Sequence, residues 1–67
     1  MDISKIPMNE LLEDRDASLF DINLCEFALA RNITEYGDSA SVQSRLESNR
    51  KIVEIIDAEL ARREQDK

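Results

Sequence analysis

Along positions 42–60 apolar side chains recur at alternating intervals of four and three. Val42, Leu46, Val53, Ile56 and Leu60 fall on one line, and Asn49 shares it. This is a heptad seam with one polar interruption, and it predicts a helix over about 40–63 that buries one stripe against another helix. Ile52 and Ile55 widen the stripe on one side, so two neighbours suit it better than one. The helix ends in Arg62 and Arg63, whose charges suit the negative end of the helix dipole. Glu47 with Lys51 and Glu59 with Arg63 stand four apart in the favourable order, each worth a few tenths of a kcal/mol.

The first half of the chain has a different pattern. Pro7 fits the first turn of a helix, and no Gly or further Pro follows until Gly37, so one long helix over about 7–36 is expected. Asp14-Arg15-Asp16-Ala17-Ser18 is its weak point, because Asp16 or Ser18 can cap a new helix and so kink or break the first. Met8, Leu11 and Leu12 give a narrow stripe, but from Leu19 to Ile33 ten of fifteen residues are apolar. At 100° per residue these cover most of the circumference, which demands cover on more than one side. Between the helices, about 33–39, Gly37 is the expected left-handed cap of helix one, and Asp38 or Ser39 is the N-cap of helix two. Tyr36 beside Gly37 is read as closing that end of the hairpin. A short charged tail follows over 64–67.

The fold expected is all-α: one antiparallel two-helix hairpin over 1–67 that completes its core by self-association. Sixty-seven residues lie near the lower limit for a core without disulfides, metals or association.

Composition narrows the function. Apolar residues make up 42% and charged residues 36%, too apolar for a disordered acidic tail and too charged for a membrane span. Met1-Asp2-Ile3-Ser4-Lys5 has no basic region followed by an apolar core, so no secretory signal is expected and the cytoplasm is the default address. Of the net charge of −6, residues 1–38 carry all: nine acids against three bases, with six of each in 39–67. That balance disfavours nucleic acid, which is bound through Lys and Arg.

There is no His, which removes the commonest general base, the usual hydrolase triads and most zinc sites. A single glycine rules out phosphate-cradling loops. Cys25, the only cysteine, lies among Leu24, Phe27 and Ala28 and reads as a small buried hydrophobe. Neither catalysis nor a cofactor is expected. Glu10, Glu13, Asp14 and Asp16 lack the spacing of a calcium loop and read as a solvated acidic face open to a basic partner.

Polar residues within apolar stripes are more informative. Arg15 and Glu26 share a face with Leu19, Ile22 and Ile33, about 16 Å apart along one helix. An antiparallel copy can set Arg15 of one chain against Glu26 of the other. Asn49 on the seam can fix register by meeting the same residue of a second chain. The expected self-association or partner interface is therefore Arg15, Leu19, Phe20, Ile22, Glu26, Phe27, Asn49, Val53 and Ile56.

These features point to a protein–protein interaction module of regulatory, adaptor or inhibitor type. Small regulators and virus-encoded inhibitors share this composition, by analogy only. A second reading is a symmetric oligomer that holds a small molecule between subunits with Arg15, Asn23, Arg31 and Asn49. A third is a structural subunit of a larger assembly.

Overall fold

The seam of the second half does form one helix, and the apolar first half forms another that lies antiparallel against it. The computed structural model describes residues 2–65. Helix α1 spans Met8–Ala30 and helix α2 spans Ser39–Gln65, with a 3-10 turn at Ile3–Lys5 ahead of them. The hairpin measures 46 × 17 × 16 Å. No helix among the described residues is long and apolar enough to cross a membrane. Of the charged tail expected over 64–67, Glu64 and Gln65 belong to α2, and 66–67 lie outside the described residues.

The weak point of helix one is not a break: α1 runs without interruption through Asp14–Ser18. Ser18 is buried against α2 instead of capping a new helix. The burial gained by the continuous stripe Leu11, Ser18, Ile22, Cys25 and Ala28 outweighs the local capping preference.

The end of α1 comes six residues earlier than the sequence pattern implies. Arg31 is its C-cap, and Asn32 next to it is left-handed, with φ of 54°. Ile33 N–H reaches the Ala28 carbonyl at 2.9 Å and Asn32 N–H reaches that of Leu29 at 3.4 Å. This is the Schellman arrangement, and Ile33 folds back onto the core beside Ala28. Asn therefore takes the role expected of Gly37. Gly37, at φ 122°, instead closes a separate turn by donating to the Thr34 carbonyl at 3.2 Å. Asp38 is the N-cap of α2 as expected: its carboxylate accepts from Ser41 N–H at 2.8 Å.

The core has two parts. On the turn side Ile22, Cys25, Ala28, Val42 and Leu46 are buried together, with Leu19, Leu29, Ile33 and Val53 packed around them. Toward the free end of the hairpin Leu11 and Ile56 are buried, and Leu11 is the largest fully enclosed side chain. The seam of α2 thus faces α1 as its spacing predicts, and Cys25 is buried as predicted.

The residues before Pro7 have no counterpart in the sequence reading. Asp2 caps the 3-10 turn by accepting from Ser4 N–H at 3.0 Å and from the Ser4 hydroxyl at 2.7 Å. Pro7 then stands at the N-cap of α1, outside the first turn where it was expected, with ψ of 148°. The chain ahead of α1 crosses onto α2 as a strap.

Candidate functional site

The nine residues expected at an oligomer or partner interface are divided by the fold. Ile22 and Ile56 are buried between the two helices of one chain, and Leu19 and Val53 pack beside them. The three polar members find partners in their own chain. Arg15 Nε donates to Asp57 Oδ1 at 2.6 Å, and Glu26 Oε1 accepts from Arg50 Nη2 at 3.1 Å. Asn49 Nδ2 donates to Asp21 Oδ2 at 2.6 Å and to the Arg45 carbonyl at 3.0 Å. Within one chain, then, each of the three polar residues pairs across the seam between α1 and α2.

Phe20 and Phe27 are the exception. They stand one heptad apart on the face of α1 opposite its buried stripe, 72% and 48% exposed. Leu24 between them is half-buried, and the Arg31 guanidinium lies over the Phe27 ring, 4.8 Å from its centre. Glu13, Asp16 and Asn23 on the same outer surface are all exposed. The outer side of α1 is therefore an aromatic patch with acids at its N-terminal end and Arg31 at its C-terminal end. Tyr36 remains 47% exposed in the turn, and the hairpin end is closed by Ile33 instead.

Two features were not anticipated. The first is an apolar groove of about 410 Å³ lined by Ile3 and Ile6 of the strap, by Leu11, Asp14, Ala17 and Ser18 of α1, and by Ile52, Ile55 and Ile56 of α2. Ile52 and Ile55, the residues that widen the seam, are 43% and 49% exposed along it. The widened stripe was the sequence signal; the strap that walls the groove had none.

The second is a clamp at the free end. Glu59 is buried, and accepts from Arg62 Nε at 3.0 Å, Arg62 Nη2 at 2.7 Å and Arg63 Nε at 2.7 Å. Those bonds, Arg62's first, hold its carboxyl down at about 2 from an ordinary 4.5. Arg63, oriented by Glu59, donates through Nη2 to the carbonyls of Ile6 at 2.6 Å, Ile3 at 3.1 Å and Ser4 at 3.4 Å. One guanidinium thus ties the strap to the last turns of α2.

Midway along the hairpin Asp21 accepts two bonds from Arg45, one of them from Nε at 2.7 Å, and one from Asn49. Arg45 first, and then Asn49, lower its carboxyl below the usual range. No buried side-chain nitrogen or oxygen among the described residues lacks a partner.

The polar residues proposed to hold a small molecule are not gathered within the chain. Arg15 and Arg31 are separated by about 24 Å of helix. Glu10, Glu13 and Asp16 of the acidic cluster are exposed, and Asp14 lines the groove. No group of acids and Cys25 among the described residues converges as metal ligands. Compared with known families, curated proteins and solved structures, the chain matches none.

Proposed function

We propose that this protein is a binding module of the adaptor or inhibitor kind, which acts by docking another protein against the outer face of α1. The exposure of Phe20 together with Phe27, on a helix whose other face is already buried, carries the reading. Aromatic side chains dominate interface energetics, and each can bury about 150–250 Å² of surface. Glu13 and Asp16 beside them, in the half of the chain that holds all the net charge, favour a partner with an apolar cleft rimmed by Lys and Arg. The absence of His and the burial of Cys25 support binding over catalysis. A single unpaired thiol also suits a reducing compartment such as the cytosol.

The test uses the wild-type chain and the Phe20→Ala/Phe27→Ala variant as matched baits in extracts of the source cells. A partner should be retained by the wild type, fall at least about tenfold with the variant, and weaken as salt rises. Both side chains are exposed, so the variant should keep its helicity. Equal retention by the two baits removes the outer face of α1 from the function.

A further inference from the structure

We infer that the Ile52/Ile55 groove is the interface for a second copy of this chain, stacked so that α1 of each protomer lies on α2 of the other. The first observation is area. The chain exposes 5084 Å², whereas a folded monomer of its mass is expected to expose about 4,300 Å². The excess is close to the roughly 800 Å² that each partner contributes to a standard stable interface. It arises because two helices side by side leave a hairpin 46 Å long and only 16–17 Å across.

The second observation is that the groove face is complementary to itself. Its α1 edge carries Glu10, Asp14 and Ala17, acidic and small. Its α2 edge carries Lys51, Ile55 and Arg62, at intervals of four and seven residues and therefore on one side of the helix: basic and protruding. The Arg15–Asp57 pair fixes the height of one helix against the other. By that register Glu10 is level with Arg62, Ala17 with Ile55, and Asp21 with Lys51.

A two-fold axis parallel to the helices keeps every residue at its own height while it sets α1 against the partner's α2. Glu10 then comes level with the partner's Arg62 and Asp21 with the partner's Lys51, opposite charges added to the bonds that Arg62 keeps with Glu59 and Asp21 with Arg45 and Asn49. The partner's Ile55 enters the space above Ala17 and Ser18, where small side chains leave room for it. The alternative two-fold, perpendicular to the helices, would set the acidic edge of α1 against its own copy and is disfavoured by like charge. The product is a four-helix bundle that covers Ile52 and Ile55 and leaves Phe20 and Phe27 outside. It is independent of the outer-face reading, and either can fail without the other.

Sedimentation equilibrium of the full chain tests it. Wild type at about 100 μM should sediment at twice the chain mass, as tight association of a standard-sized interface requires. Ile55→Glu and Ala17→Lys, each at an exposed position and each checked for unchanged helicity, should separately weaken association at least about 100-fold. Mixed in equal amounts, the two variants should dimerise again, because the heterodimer sets the introduced acid against the introduced base at one contact and keeps the native Ile55–Ala17 contact at the other. A Phe20→Ala chain should associate like wild type. A monomeric wild type, a dimer that survives Ile55→Glu, a dimer lost with Phe20→Ala, or a mixture that stays monomeric would each overturn the interface.

Discussion

The two ends of the hairpin are closed by opposite means. At the turn end, Cys25, Ala28 and Val42 are buried together, and the closure is local: Asn32 and Ile33 cap α1 within five residues, and Asp38 caps α2 within three. At the free end the helices carry Leu11 and Ile56, the flank stays open as a groove, and closure depends on Arg63 reaching carbonyls 57–60 residues earlier in the chain. A local cap forms as soon as its helix does, whereas a clamp between distant residues orders only after the helices have docked. The free end should therefore be the first part of the molecule to open.

The strongest test of this difference removes a leucine from each end. Leu46→Ala, within the buried turn-side cluster, should destabilise by about 4 kcal/mol, and Leu11→Ala, in the groove lining, by about 2, since the cost of a cavity depends on how far its surroundings can collapse. The groove beside Leu11 gives its neighbours that freedom. Urea or thermal unfolding measures both, and equal losses would show that the two ends are packed alike.

Next in size is the clamp. Arg63→Met keeps most of the side-chain volume but removes the bonds to the strap, with an expected loss of about 1–2 kcal/mol. Hydrogen exchange should locate the change: the Lys5 and Ile6 amides, bonded to Asp2 and Ile3, should exchange faster, and the Ile33 amide should keep its protection. A uniform rise over both ends would mean that they open as one unit.

Asn32→Ala tests the turn end alone. At φ 54° any Cβ is strained, and alanine lacks the short polar side chain by which Asn eases that backbone, so about 1 kcal/mol should be lost, while Asn32→Gly should be close to neutral. The smallest effect expected is from acid. Glu59 has a folded pKa below its unfolded value, so its stabilising contribution is complete above about pH 4.5, declines as pH falls, and is gone below about 2. Asp21 and Asp38, lowered by Arg45 and by the Ser41 N–H respectively, act in the same direction. Amide exchange of the strap should accelerate across that window, and a strap unchanged at pH 2 would detach Glu59 from its closure.

How far these features were legible depended on whether their cause is local. The α2 seam, the Asp38 cap and the burial of Cys25 follow from spacing and residue type. The exposed Phe20–Phe27 face was included in the apolar girdle of Leu19–Ile33, but nothing in the spacing separated it from Ile22 and Leu19, which turn inward. The weak point at Asp16–Ser18 and the cap expected at Gly37 are both cases of local preference. The first yielded to burial of Ser18, and the second to Asn32, which adopts the left-handed backbone at little cost and brings Ile33 onto the core.

The sequence by itself determined two helices, the position of their connection and the stripe by which they meet, because periodicity and capping act over a few residues. Only the tertiary structure decided the partners of the charges. Arg15 chose Asp57, Glu26 chose Arg50, and Arg63, besides the Glu59 four residues before it, chose the strap, out of many residues of suitable sign. A charge carries no address along the chain; which opposite charge it meets is set by the rotation and height of one helix against the other, and packing at the apolar seam fixes those.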